Sequence, residues 1–373
     1  MVIEKIELHN FRNYEDLTLA FDPKVNLITG SNAQGKTNLI EGIFLSSMGR
    51  SFRTNKEDSL IRFGQDMARV TVWAKKELVR TKVEIVIRKN SKKYIRKDGT
   101  AVPKLSELMR NIIIVAFSPE DLRIVKDEPE KRRKFIDREL AQIKPAYYRC
   151  LSDYRKALLQ RNVYLKQQNP DPTLLSVWDE QLIREGAKMI AYRKEFIDRI
   201  GAYSRKIHEK ITNGQEELTL KYLPNVEWAE QEEKISDHLR KALEAHRETD
   251  FRMRTTYAGP HKDDMAFYIN GIDARKYGSQ GQQRTCALSL KLADLDVIRE
   301  ETGEEGILLL DDVMSELDQG RREYLVRALE RNQIFITATD VDKEVLNAYP
   351  AARVFAVREG TVRERQKNDS KAR

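Results

Sequence analysis

A glycine-rich octapeptide, GSNAQGKT, occupies residues 30–37. It follows an apolar run that predicts a strand, and the NLIE sequence after it predicts a helix. Glycines in such a loop let successive backbone N–H groups face a phosphate, while a lysine adds charge and a threonine hydroxyl can hold Mg²⁺. The octapeptide is typical of a P-loop, with Lys36 as its catalytic lysine. We predict that ATP or GTP is bound by Gly30, Ser31, Asn32, Ala33, Gln34, Gly35, Lys36 and Thr37.

A second motif, GILLLDD at residues 306–312, runs from apolar residues into two carboxylates. This pattern is typical of a buried strand whose end delivers acids to a metal and to water. We predict that Asp311 and Thr37 bind Mg²⁺, and that the catalytic Asp312 polarises the attacking water. The alternative is a strand that ends in a solvated acidic turn; the presence of a P-loop in the same chain favours the nucleotide site.

Length and charge limit the remaining possibilities. The 373 residues exceed the usual size of one domain, so we expect two domains or one domain with an insertion. Lysine and arginine outnumber aspartate and glutamate by 67 to 59, which favours polyanionic partners such as DNA, although a mixed-charge surface is the alternative. The two cysteines and five histidines lack disulfide or metal-ligand spacing. Without a signal segment or a long apolar run, we expect a soluble cytoplasmic protein with no membrane partner.

Hydrophobic periodicity predicts sheet at both ends of the chain and helices between them. An unbroken apolar run at residues 112–116 predicts a strand that is buried on both faces. The remaining predicted strands lie at residues 3–8, 17–21, 70–73, 83–87, 218–222, 265–268, 307–310, 334–336 and 354–357.

Helical periodicity extends from about Phe135 to Ile207 and is interrupted by the sequence QQNPDP. Its prolines predict an antiparallel helical hairpin with a turn near Asn169, and Pro145 predicts a kink. The charged faces favour a projecting arm, whereas an ordinary helical subdomain is the alternative. The C-terminal sequence QKNDSKAR has a composition that predicts disorder.

The helical segment separates the P-loop from GILLLDD, an organisation that resembles ABC-type ATPases with an inserted arm, such as the SMC proteins. Two further segments are similar to motifs of that class. YGSQGQQ, at residues 277–283, precedes an apolar-periodic helix, as an ABC signature does. Ser279 would cap this helix, and the helix N-terminus with the Gly281 backbone would form an anion site. SELD, at residues 315–318, resembles the D-loop.

The chain is similar over almost its whole length to the RecF family of bacterial recombination-repair ATPases. The segments that carry this resemblance are IELHNFRNYEDL, GRSFRT, FSPEDL and AGPHKDD, and it is weakest between about residues 125 and 250. It implies an α/β fold in which residues 1–122 and 259–373 form an ABC-type P-loop ATPase head. Residues 123–258 would be an inserted helical lever arm.

The resemblance also implies a function. RecF-like proteins are ATP-dependent, DNA-binding ATPases that dimerise around two nucleotides, act on double-stranded and gapped DNA or on single-strand/double-strand junctions, and work with RecO and RecR to load RecA. It implies weak, DNA-stimulated ATP hydrolysis as a release switch. Arg12 and Asn13 would line the nucleotide in the same protomer. The residues that would act across the dimer are Ser279, Gln280, Gly281 and Asp318.

Three departures from the general ABC pattern predict slow turnover. Asp312 stands where many ABC enzymes have glutamate, FSPEDL offers no Q-loop glutamine, and Ala338, Thr339 and Asp340 stand where a switch histidine is expected. We expect a timing switch with a basal rate below about 10 s⁻¹.

DNA would be contacted mainly through its phosphates, because no recognition helix or zinc finger is visible. Binding would be independent of sequence and sensitive to salt. The candidate contacts, each of which could equally be a solvated charge, are Arg50, Arg53, Lys131, Arg132 and Arg133.

The alternative functions of other classes are a P-loop kinase with a helical lid, a nuclease partner or tether, and a transporter subunit. A kinase leaves YGSQGQQ and SELD unexplained.

Overall fold

The computed structural model describes residues 1–167, 171–328, 330–340 and 343–365. The chain divides into two compact units, Met1–Asp121 with Ile298–Arg373, and Leu122–Val297. In the described ranges, no helix has the length and apolar character needed to cross a bilayer.

The strands, in chain order, are β1 (Val2–Phe11), β2 (Tyr14–Ala20), β3 (Val25–Thr29), β4 (Met67–Lys76), β5 (Val79–Arg88), β6 (Tyr94–Lys97), β7 (Thr100–Ala101), β8 (Ile114–Phe117), β9 (Leu218–Leu223), β10 (Asp264–Ile269), β11 (Ile272–Asp273), β12 (Ile307–Asp311), β13 (Ile334–Ala338), β14 (Arg353–Arg358) and β15 (Thr361–Glu364). The helices are α1 (Lys36–Met48), α2 (Pro129–Ile143), α3 (Pro145–Leu165), α4 (Pro172–Ile211), α5 (Glu232–Ala245), α6 (Arg247–Met253), α7 (Ala274–Tyr277), α8 (Gln280–Thr302), α9 (Gln319–Ala328) and α10 (Lys343–Ala348).

A mostly parallel sheet in the first unit has the strand order β15-β14-β3-β13-β12-β8. Only β15 is antiparallel to its neighbour. Strands β3, β8 and β12 are buried along their whole length, which confirms the prediction of a strand buried on both faces near residues 112–116. Because β3 and β12 are parallel and separated only by β13, the P-loop and the two aspartates follow the same edge of the sheet.

An antiparallel sheet with the order β2-β1-β4-β5-β6-β7 completes the first unit. Helix α1 contacts strands of this sheet and of the parallel sheet, so it is buried on nearly every side. This position explains why even Glu41 on α1 is fully buried. The opposite face of the antiparallel sheet carries charged and aromatic side chains, as alternation along its strands requires.

The second unit combines helices with the three-stranded sheet β11-β10-β9. Helices α3 and α4 pack against each other, which confirms the predicted helical hairpin. Pro145 begins α3 after the end of α2, so it separates two helices where a kink was predicted. The predicted turn near Asn169 and the predicted disorder of residues 366–373 lie outside the described residues.

The second border between the units differs from the predicted one. We placed it between residues 258 and 259, whereas the structure places it between Val297 and Ile298. The physical reason is strand pairing: β10 pairs with β9 along its full length, so the segment after residue 258 belongs to the sheet of the second unit. Helical periodicity contains no information about that pairing.

The AGPHKDD segment forms the centre of a buried polar network in the second unit. Asp263 accepts hydrogen bonds from Arg193 Nη1 (2.9 Å) and from the hydroxyl of Tyr222. His261 Nδ1 forms a hydrogen bond with the Tyr154 hydroxyl at 2.7 Å. His261 Nε2 forms one with the carbonyl oxygen of Thr256 at 2.9 Å. The segment therefore acts as a structural junction between helices and the small sheet.

His261 makes the stability of this unit depend on pH. Burial lowers the pKa of His261 from 6.5 to about 4, and the charges of Lys262, Arg133 and Arg193 act in the same direction. Between these two pH values the unfolded chain binds a proton that the folded chain excludes, so stability falls as the pH falls from 6.5 towards 4.

We expect His261→Gln to reduce this pH dependence, because glutamine can accept from Tyr154 and donate to Thr256 without titrating. Urea unfolding at pH 7.5 and pH 5 measures the effect, for which linkage predicts about 2 kcal/mol lost by the wild type at the lower pH. An equal loss in both proteins would contradict a neutral buried His261.

Candidate nucleotide-binding site

The P-loop connects β3 to α1 through backbone conformations that favour glycine. Gly30 and Gly35 have φ values of 153° and 119°. A Cβ at Gly30 would lie 2.3 Å from the carbonyl oxygen of Val357, and one at Gly35 would lie 2.6 Å from the side chain of Asn13. Larger residues at either position would therefore displace neighbouring groups and open the loop.

Lys36 and Thr37 begin α1 directly after this loop. Lys36 is 4% exposed, and its Nζ donates to the carbonyl oxygens of Gly30 (2.8 Å) and Ser31 (3.3 Å). The ammonium group is thus held over the loop in which the phosphates of a nucleotide would lie. The Thr37 hydroxyl donates to Asp311 Oδ1 at 2.9 Å, which joins the two predicted metal ligands.

A third residue, Thr337 at the end of β13, organises both aspartates. Its hydroxyl donates to Asp311 Oδ1 at 2.8 Å and accepts the backbone N–H of Asp312 at 2.8 Å. Burial raises the pKa of Asp311, whereas the hydroxyl hydrogen bonds and the charge of Arg53 lower it. Asp312 follows in the left-handed region, with φ 54°, so the chain turns sharply after the strand.

The loop is braced from two sides. Asn13 Nδ2 donates to the carbonyl oxygen of Gln34 at 2.8 Å, and Asn13 Oδ1 accepts from Asn38 at 2.9 Å. The turn between β14 and β15 contributes the backbone N–H of Glu359, which donates to Gln34 Oε1 at 2.8 Å. Asn13 therefore supports the loop through side-chain hydrogen bonds.

Glu41 gathers two arginines beside the loop. Arg12 donates two hydrogen bonds of 2.8 Å to its carboxylate, in the bidentate geometry that fixes a guanidinium most firmly. Arg53 Nη1 lies 3.6 Å from the same carboxylate and donates to Asn38 Oδ1 at 3.0 Å, while the Ser51 hydroxyl also donates to Glu41. The opening motif and GRSFRT are thus joined to α1 by one buried acid.

This arrangement changes the significance of Arg53, which we predicted as a DNA contact. Its guanidinium donates to Asn38, which directly follows Thr37, one of the two predicted metal ligands. Its side chain is 44% exposed and can contact a ligand. Arg53 therefore lies beside the predicted nucleotide site, and its DNA contact stays a prediction.

The YGSQGQQ segment forms the N-terminus of α8 in the second unit. Ser279 Oγ accepts the N–H of Gln282 at 3.2 Å, and Gln282 Oε1 accepts the N–H of Ser279 at 2.8 Å. This reciprocal pair is a capping box, which confirms the predicted cap. Ser279 and Gln280 are exposed and Gly281 is partly exposed. Their role across a dimer stays a prediction.

The SELD segment follows β12 in the first unit. Asp318 is exposed, accepts the N–H of Arg321 at 3.0 Å, and forms an ion pair with the same arginine. Ser315 Oγ donates to the carbonyl oxygen of Asp312 at 2.9 Å, which connects this segment to the predicted catalytic acid.

The residues predicted to contact DNA differ in how deeply they are buried. Arg132 is 1% exposed and donates to both carboxylate oxygens of Asp264, at 2.6 and 2.9 Å. The prediction that Arg132 contacts DNA is therefore wrong, because its guanidinium is committed inside the second unit. Arg133 is partly exposed and donates to the carbonyl oxygen of Asp263, while Arg50 and Lys131 are exposed.

Sequence reasoning missed two residues of this site. Glu41 has the sequence signature of a surface helix residue, because a lone glutamate among helix formers is usually solvated. Thr337 lies just beyond the predicted strand at residues 334–336 and has no predicted role. Its position at the carboxyl end of a strand next to GILLLDD was the available signal, since parallel strands present their ends at one edge.

A P-loop, paired aspartates at the end of a parallel strand of the same sheet and a capped signature-type helix in one chain define an ABC-type ATPase head of the SMC kind. The chain matches the family described as RecF/RecN/SMC N terminal domain over residues 2–363. It is 45% identical to the DNA replication and repair protein RecF of Alkaliphilus oremlandii, over 97% of this chain and 100% of the relative. The chain belongs to the RecF family.

Solved structures agree with this membership. One described as the recombination mediator protein RecF with ATP in the RecFOR pathway is 37% identical, with a TM-score of 0.90 and 98% coverage of both chains. An SmcHead structure bound to a domain of ScpA shares the fold at 14% identity, with a TM-score of 0.55 and coverage of 100% of this chain and 99% of that one. Family membership sets aside the kinase and transporter alternatives.

Proposed function

We propose that this chain is an ATP-dependent DNA-binding protein of recombinational repair, in which ATP drives dimerisation around DNA and slow hydrolysis releases it. The observation that carries the proposal is the hydrogen bond from Thr37 to Asp311, with Thr337 on the same carboxylate. It joins the P-loop to the acidic strand end as a nucleotide-hydrolysing site requires. ATP bound to a 37% identical relative supports the choice of nucleotide.

The residues present suit Mg²⁺, which prefers hard oxygen ligands. The Thr37 hydroxyl and the Asp311 carboxylate would hold it, and the ion would neutralise charge on the phosphates. Lys36 and the loop N–H groups would position the phosphates. Asp312 would orient the attacking water and accept its proton.

Next to this site, the protein has a surface that suits the nucleoside end of ATP. A concave surface includes Arg12, Asn13, Asn38 and Arg53, and Phe63 lies on its rim with its side chain fully exposed. Asn13 and Asn38 connect this surface to the P-loop through their hydrogen bonds. A base could stack on Phe63 while the arginines contact the ribose and phosphates.

The dimer would be closed by residues of both protomers. Ser279, Gln280 and Gly281 would approach the γ-phosphate held by the partner, and Asp318 would couple the two sites. The exposure of Ser279 and Asp318 supports this role. DNA, RecR and RecO are the expected partners, and the RecFOR pathway named for a 37% identical relative supports them.

Sedimentation velocity tests the proposal. With ATP we expect a dimer that binds gapped or double-stranded DNA, with affinity that falls steeply as salt rises. With ADP we expect a monomer, because the γ-phosphate contact is lost. A monomer with ATP that ignores DNA at low salt would refute the clamp.

Arg53 provides a separate prediction about hydrolysis. We expect Arg53→Ala to lower the ATPase rate about 100-fold, because it removes a preorganised donor near the developing phosphate charge. Phosphate release measured at saturating ATP in the absence of DNA gives the rate. Arg50→Ala is the matched control, since Arg50 is an exposed arginine of the same motif. If Arg53→Ala lost DNA affinity but kept its ATPase rate, Arg53 would be a DNA contact as first predicted.

A further inference from the structure

The solvent face of the antiparallel sheet carries an aromatic residue among basic side chains. Trp73 on β4 lies opposite Lys5 on β1 and Lys82 on β5. The Nζ atoms of these lysines lie 4.7 and 5.1 Å from the Trp73 ring centroid. Two residues further along β4, Lys75 lies opposite Arg80 on β5, and both are on the same face as Trp73. We call Lys5, Trp73, Lys75, Arg80 and Lys82 the sheet-face patch.

Two acidic neighbours of this patch form exposed ion pairs, and a third, Glu84, lies on the same face opposite Arg96 on β6. Glu7 pairs with Lys5 at 2.6 Å, and Glu4 pairs with Arg80, whose side chain is 72% exposed. Such pairs contribute little free energy in water, so a phosphate can replace the carboxylate without a large loss. The cations are therefore available to a polyanion.

A second aromatic residue lies on the same face. Tyr94 on β6 pairs with Val86, is 43% exposed, and has the guanidinium of Arg96 5.0 Å from its ring centroid. From strand spacing and rise, Trp73 and Tyr94 are roughly 16 Å apart, a span of a few nucleotides of extended single strand. Neither ring belongs to the nucleotide site described above.

We propose that the sheet-face patch binds single-stranded DNA, with bases stacked on Trp73 and Tyr94 and phosphates bound by Lys5, Lys75, Arg80 and Lys82. A ring face that attracts ammonium groups also accepts the π-face of any base, so such binding is independent of sequence. A duplex hides its base faces, so the aromatic residues favour a single strand. This inference rests on the proposed DNA-binding function and specifies one surface for it.

Tryptophan fluorescence gives a direct test, because the chain has only three tryptophans. A Trp178→Phe/Trp228→Phe protein retains Trp73 as its sole tryptophan reporter, and we expect oligo(dT) to quench its emission. In the otherwise wild-type chain, Trp73→Leu should weaken oligo(dT) binding at least about fivefold, as loss of one stacked base predicts. ATP binding by the same variant shows that it is folded.

The charge of the patch is tested through salt dependence. Lys82→Gln should reduce the slope of log affinity against log salt by about 0.7, the value for one lost single-strand phosphate contact. Lys104→Gln, at an exposed lysine outside the patch, should leave the slope unchanged. Unquenched Trp73 emission, or equal oligo(dT) binding by Trp73→Leu and wild type, would overturn the sheet-face assignment even if ATP-dependent duplex binding persisted. A wild-type chain that binds no DNA would refute the proposed function itself.

Discussion

Asp312→Asn is expected to bind ATP and dimerise like the wild type while its hydrolysis rate falls between about 100-fold and 10,000-fold. The amide has nearly the same shape as the carboxylate but cannot accept the proton of the attacking water. Asparagine also tolerates the left-handed backbone, φ 54°, that this position requires. The backbone N–H that donates to Thr337 is unchanged, so Asp311 should keep its place.

Single-turnover phosphate release and sedimentation with ATP measure the two halves of this prediction. Asp312→Glu is the matched variant, because it keeps a carboxylate with a longer reach and should retain hydrolysis. Thr337→Val removes the hydroxyl that holds both aspartates. It should lower the hydrolysis rate because the aspartates are then less firmly positioned. Wild-type hydrolysis by Asp312→Asn would show that another group accepts the proton.

Features encoded by local sequence were predictable. The P-loop needs glycines at 30 and 35 because of its backbone angles, and the capping box of α8 needs a serine and a glutamine three residues apart. Apolar runs in the sequence indicated the parallel strands, because these strands are buried on both faces. These signals lie within a few residues of the structure that they specify.

Features that depend on packing were not predictable in the same way. Arg132 and Arg133 are adjacent in a basic run, yet only the first is fully buried, because Asp264, far away in sequence, lies opposite it. Arg53 lies beside the P-loop helix because the buried Glu41 and the partly buried Asn38 hold it there. A charge pattern gives the number of cations, whereas tertiary contacts decide which of them face a ligand.

Lys36→Met is expected to abolish ATP-driven dimerisation at ATP concentrations that saturate the wild type. The lysine supplies the positive charge at the phosphates, and loss of such a charge-assisted contact costs about 3 kcal/mol, or about 100-fold in affinity. Methionine matches the length of the buried lysine stem, so the loop should keep most of its packing. Nucleotide titration and sedimentation with ATP measure the two effects.

Lys24→Met is the matched control for that substitution, because Lys24 is an exposed lysine just before β3 in the same unit. It should bind ATP and dimerise as the wild type does. Lys36 also donates to two carbonyl oxygens of the loop, so thermal unfolding without nucleotide must be compared as well. If Lys36→Met were folded, bound no ATP and still formed the salt-sensitive DNA complex as a dimer, ATP would not be what closes the clamp. DNA binding that is lost together with dimerisation would instead support one coupled switch, in which the γ-phosphate contact selects the closed state.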